Sequence, residues 1–207
     1  MIASWAALGT ASGGALGAVT RRMLRTRAFG WRAWIISAVL TGILFAALTS
    51  RMGQDHALLP FSYLAAVLVP LAAVDLAEQR LPSAVLLPSY AILGASLTTV
   101  AVLDARYESL ARSLITMAAL AAAYLVLALA TGGLGAGDVK LAGLLGLALG
   151  WISWQAVLTG TVLGWLLAAT TRLTLRASRR IERDTPTPLG PHLAMGAMTA
   201  VISAGTG

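Results

Sequence analysis

Eight long apolar runs constrain this chain more than any other feature. They fall at residues 3–20, 33–50, 57–74, 84–103, 110–131, 139–151, 154–173 and 189–205. Most approach the ~20 residues that a helix needs to cross a bilayer. The sixth run is short and rich in glycine. A chain that is 58% hydrophobic and 11% charged has too little polar surface to cover such runs in water, since a soluble domain averages about 25% charged residues. The expected fold is all-α: a polytopic integral membrane protein of about eight transmembrane helices, with residues 1–207 forming one membrane domain.

Composition narrows the chemistry. With no cysteine, disulfides, thiolate zinc sites and a cysteine nucleophile are excluded. Two histidines are too few for a histidine-rich metal site. No metal or cofactor is expected. The net charge of +7 reads as membrane topology rather than nucleic-acid binding, because the arginines gather at the ends of the apolar runs. Membrane lipids are the expected contact and nucleic acid is not. The stretch from Met1 to Val19 lacks a basic leading segment and carries its positive charge after the apolar run, so it reads as a first membrane helix rather than a signal peptide.

Alternating the loops between the two sides of the membrane divides the cations unevenly. One set holds Arg21, Arg22, Arg25, Arg27, Arg32, Arg80, Lys140, Arg172, Arg176, Arg179, Arg180 and Arg183; the other holds only Arg51, Arg106 and Arg112. The positive-inside rule assigns the larger set to the cytosol, which leaves the N-terminus outside. Two acidic residues then fall at one depth. The third run descends to Asp75, and the sixth starts from Asp138, both at the cytosolic rim. The charge counting made no use of either aspartate.

Asp138 lies in Gly132-Gly133-Leu134-Gly135-Ala136-Gly137-Asp138-Val139-Lys140-Leu141, a glycine-rich break flanked by apolar runs. An ionisable residue beside lipid is a functional hypothesis by default. The glycines, Gly135 and Gly137 above all, leave room for another backbone or a substrate strand to approach. Two carboxylates in one site do not both ionise readily, so one holds a proton. The ionised one can activate water as a general base, and the protonated one can polarise a scissile carbonyl. On the residues alone three readings stand. The pair is catalytic, it marks an ion site in a proton- or ion-coupled transporter, or the aspartates are interfacial residues, with Asp138 capping the sixth helix.

Gly135-Ala136-Gly137-Asp138 with Val139-Lys140-Leu141 resembles the G-x-G-D motif of the prepilin peptidases, or type IV leader peptidases. Asp75, five residues and then Leu81-Pro82, followed by Leu86 and Pro88, is similar to that family's first aspartate block. Trp151 closes the span after the motif, and Thr187-Pro188-Leu189-Gly190-Pro191-His192-Leu193-Ala194-Met195-Gly196-Ala197 resembles its final Pro-x-Gly-Pro block. The likeness covers roughly residues 57–205. It implies a transmembrane peptidase domain with Asp75 and Asp138 catalytic. The substrates would be prepilin-like precursor proteins, cut behind their leader peptides at the cytosolic face of the inner (cytoplasmic) membrane. Ser83 stands where the family usually has Asn or Asp. Larger members carry a cytosolic insert with paired cysteines, associated with N-methylation. This chain has no cysteine and a first cytosolic loop of about a dozen residues, too short for a separate domain, so the resemblance implies a peptidase-only form.

The neighbouring residues have secondary readings. Gly135, Gly137, Glu78 and Lys140 are the substrate-binding candidates, with Glu78 alternatively a solvated loop residue and Lys140 a snorkelling interfacial cation. His192 is a proton partner or an interfacial histidine. Gly143, Gly146, Gly150, Gly160 and Gly164 have the spacing of close helix packing. Pro82 fits a helix entry and Pro88 a bend. Trp5, Trp31, Trp34, Trp151 and Trp154 are placed like an interfacial belt, while Trp165 sits inside a span. Oligomeric state has no sequence signal.

Overall fold

The computed structural model describes residues 1–23, 31–178 and 187–204. Every regular element among them is a helix: α1 (Ile2–Met23), α2 (Trp31–Met52), α3 (Leu58–Glu78), α4 (Ser83–Leu103), α5 (Tyr107–Thr131), α6 (Ala136–Ile152), α7 (Trp154–Ala177) and α8 (Gly190–Ser203). Each boundary falls within about one helical turn of the apolar run that signalled it. Five helices, α2, α3, α4, α5 and α7, are long and apolar enough to cross a bilayer, and the protein is a multi-pass membrane protein. α6 and α8 have only 17 and 14 residues. At 1.5 Å per residue they reach about 25 and 21 Å, short of the ~30 Å hydrocarbon core.

Burial explains why α6 can be short. Every residue from Leu141 to Trp151 is buried, as expected of a helix that is apolar all round. Neighbouring protein, not lipid, covers its backbone, so it need not reach both headgroup layers. α3 is the other central helix: 72% of its most apolar window is buried, against 11% for α5 and 22% for α7. The outer helices present large apolar side chains, among them Val126, Leu129 and Leu158. Trp151, expected in the interfacial belt, belongs to the core at 3% exposure, because the enclosed end of α6 meets protein. Trp31 and Trp154 are exposed as a belt requires.

Missing side chains let the helices approach. A Cβ at Gly146 would lie 2.5 Å from the Thr116 carbonyl oxygen, and one at Gly196 2.5 Å from that of Gly160. The first contact joins α6 to α5 and the second α8 to α7. Without a hydrophobic force between helices in lipid, such backbone proximity is the main source of helix association.

The described loops gather at two ends. At one, Arg51 donates to the Ala204 carbonyl at 2.8 Å, Arg106 pairs with Asp55 at 2.9 Å and His56 with Asp104 at 2.8 Å. Arg112 donates to the carbonyls of Gly150 and Trp151 at 2.6 and 3.0 Å. This end therefore holds all three cations of the smaller charge set. The opposite end holds the last turn of α3 and the first turns of α4, α6 and α8. Of the larger set, Arg25, Arg27, Arg179, Arg180 and Arg183 lie outside the described residues.

Candidate active site

α3 runs one turn further than its apolar pattern, through Asp75 to Glu78. Leu76, Ala77 and Glu78 are all good helix formers, and no breaker intervenes before Pro82. The helix stops at Gln79, in the left-handed region with φ 50°, whose N–H returns to the Asp75 carbonyl at 2.8 Å. Asp75 lies on the last turn of a central helix, 4% exposed. One expectation is corrected: Glu78 is not a solvated loop residue, for its side chain is 7% exposed and paired with Arg80.

The Asp75 carboxylate is met by the start of α8. The Gly190 N–H donates to its Oδ2 at 2.9 Å. Sequence makes that amide available: Pro191 has no N–H, and the amides of His192 and Leu193 turn back to the Leu189 carbonyl. The partly positive N-terminus of a helix suits a carboxylate, and a hydrogen bond is what a buried carboxylate requires. Gly190 is the site residue that the motif reading quoted without assigning it a role.

Asp138 is the third residue of α6, and its Oδ2 accepts the Gly135 N–H at 3.1 Å. Gly135 has no side chain, so this is one half of a capping box. The capping role is real, yet it does not isolate the residue. Leu81 joins the two halves of the site. A Cβ at Gly137 would lie 2.8 Å from Leu81 Cβ, and one at Gly190 would lie 3.3 Å from Leu81 Cδ2 and 2.8 Å from Asp75 Oδ2. The space left by Gly137 is thus taken by the protein's own Leu81, whereas Gly135 is exposed.

The remaining candidates are held elsewhere. Lys140 donates through Nζ to Ser83 Oγ at 2.7 Å, and its carbonyl accepts the Tyr90 hydroxyl at 2.5 Å. It ties α6 to the start of α4. His192 donates from Nδ1 to the Pro188 carbonyl at 3.0 Å, and its Nε2 lies 3.0 Å from Thr171 Oγ1. It fastens the entry of α8 to α7. Pro82 is the N-cap of α4, the helix entry its position predicted, and Pro88 lies inside that helix. Beside Asp138 a groove of about 470 Å³ opens between α5 and α7. One of its walls is Trp165, whose indole N–H donates to the Tyr124 hydroxyl at 2.8 Å.

The model of the Type IV leader peptidase family matches residues 62–173, more than half of the chain. The matched span contains Asp75 and Asp138 and stops before α8. No curated protein and no solved structure matches the chain.

Proposed function

Because the chain belongs to the Type IV leader peptidase family it is a membrane peptidase, and we propose that Asp75 and Asp138 are its catalytic pair. What supports this reading is that Leu81 packs against both Gly137, the residue before Asp138, and Gly190, whose amide donates to the buried Asp75. In the active form the two share one proton. The ionised carboxylate takes a proton from water as the water oxygen attacks the scissile carbonyl carbon. The protonated carboxyl donates to the carbonyl oxygen as its negative charge develops. When the tetrahedral intermediate collapses, the C–N bond breaks and the departing amine takes up a proton from the carboxyl that served as base. As the C=O re-forms, the other carboxylate takes back the proton it gave, which restores the shared-proton pair of an aspartic endopeptidase.

The substrates we infer are type IV prepilin-like precursors, cut behind their leader peptides at the cytosolic face of the cytoplasmic membrane. Support for that face is the twelve-to-three division of cations between alternating loops of the sequence, with both aspartates bordering loops of the cation-rich set. The family match favours this over an ion-coupled carrier.

The test uses the full chain in membranes and a pilin-like precursor with a basic leader ahead of an apolar segment of about 20 residues. Asp75→Asn and Asp138→Asn, each at matched expression, are both expected to abolish cleavage that the wild type performs. Normal cleavage by either variant would remove the carboxylate pair.

A further inference from the structure

The α5–α7 groove is unaccounted for by the carboxylate pair itself, though Asp138 forms part of its wall. Its size, about 470 Å³, lies within the ~300–1,000 Å³ typical of ligand pockets. Leu127, Leu134, Trp165 and Ala168 make an apolar lining on or beside two spanning helices, and Arg172 stands at the polar end. We propose that this groove is the subsite for the apolar side chains of the substrate next to the scissile bond. The proposal rests on the reading of Asp138 as catalytic and adds where the substrate lies.

Three observations carry it. First, Asp138 is a wall of the groove, so an occupant lies against the candidate site. Second, the flanks of the groove are lipid-facing: α5 and α7 are the least buried of the spanning helices. An apolar segment can enter from the bilayer without crossing water. Third, the wall is preformed. Trp165 is 37% exposed in the middle of a spanning helix, yet its indole is fixed by the bond to Tyr124, itself 5% exposed. A large aromatic held rigid at an open surface is the usual anchor of a recognition site.

A lipid acyl chain is the competing occupant. It fits the apolar walls but offers nothing to Asp138, and a carboxylate set against hydrocarbon is destabilised. A peptide brings amide groups that hydrogen-bond it.

The experiment places a photoreactive benzoylphenylalanine at Ala168, in the groove, or at Leu166, on the same helix outside it. The carrier is the full Asp75→Asn chain in membranes, mixed with the pilin-like precursor described above, and wild-type cleavage of that precursor is measured in parallel. The expected result is an adduct with the precursor from position 168 and none from 166. Lipid adducts alone at 168, with wild-type cleavage intact, overturn the groove and leave the carboxylate pair standing. A precursor adduct at 168 without wild-type cleavage overturns both, since a groove beside an Asp138 that does not cleave is no subsite of the reaction. Neither adduct nor cleavage overturns both. Filling the groove with Ala168→Trp is expected to raise KM about tenfold with kcat little changed, the signature of lost substrate binding. An unchanged KM in a folded variant contradicts the proposal.

Discussion

Gly190→Ala adds one methyl group at the point where α8 meets Asp75. The new Cβ would lie 2.8 Å from Asp75 Oδ2 and 3.3 Å from both Asp75 Cγ and Leu81 Cδ2. Gly190 does not have positive φ, so alanine suits the backbone and the whole effect falls on the contact. Leu81 cannot yield freely, being already against Gly137. The carboxylate must swing away and lose the 2.9 Å bond from the Gly190 N–H. A hydrogen bond to a charged group contributes about 1.5–3 kcal/mol. At about 1.36 kcal/mol per factor of ten, cleavage should slow by about 10- to 150-fold. Because Gly190 positions Asp75 and does not touch substrate, the loss should appear in kcat and leave KM nearly unchanged. Initial rates over a range of precursor concentration, in membranes at matched expression, measure both. Gly196→Ala is the control: its Cβ would meet the Gly160 carbonyl oxygen at 2.5 Å, overpacking the same helix without reaching Asp75. It should lower the amount of folded protein but not kcat per folded molecule. Equal kcat in Gly190→Ala and wild type, or equal loss in the two variants, would refute the reasoning.

The shared-proton mechanism predicts a bell-shaped pH dependence of cleavage. Activity should fall at low pH, where both carboxyls are protonated and no base remains, and at high pH, where both are ionised and no acid remains. A flat profile counts against the pair. Arg112→Ala should act on stability alone. It removes donors to the carbonyls of Gly150, Trp151 and Ile152 at the C-terminus of α6, where a cation also suits the helix dipole. A loss of about 2 kcal/mol is expected, seen as a lower Tm in detergent, with kcat per folded molecule unchanged because Arg112 sits at the end away from the aspartates.

The helices were legible because most of the apolar runs are long and bounded by charge or glycine, and hydropathy needs no tertiary information. Asp75 and Asp138 were legible for a related reason: each carboxylate interrupts or ends an apolar run, where its desolvation must be explained. What the sequence concealed depends on neighbours. Glu78 reads as a loop residue until Arg80 pairs with it. Trp151 reads as an interfacial aromatic until the enclosure of α6 is known. The donor to Asp75 lies 115 residues away in the chain, and a glycine before a proline has the same appearance at any helix start. The groove needs α5 and α7 side by side with Trp165 already fixed, which no local pattern encodes.

The family match ends at residue 173, before the helix whose Gly190 amide meets Asp75. Residues 62–173 include both aspartates but not the amide that receives the Asp75 carboxylate. A carboxylate 4% exposed with no donor would be strongly disfavoured in that setting, so the geometry of the pair is conditional on α8. α8 is in turn placed by α7, through the contact of His192 with Thr171 and the close approach of Gly196 to Gly160. The α7–α8 hairpin is therefore the device that delivers the Gly190 N–H to a fixed point. On the proposed pair, it follows that changes at the entry of α8, where His192 meets Thr171, act on catalysis through the position of one backbone amide without touching either aspartate, whereas overpacking further along the helix acts on folding.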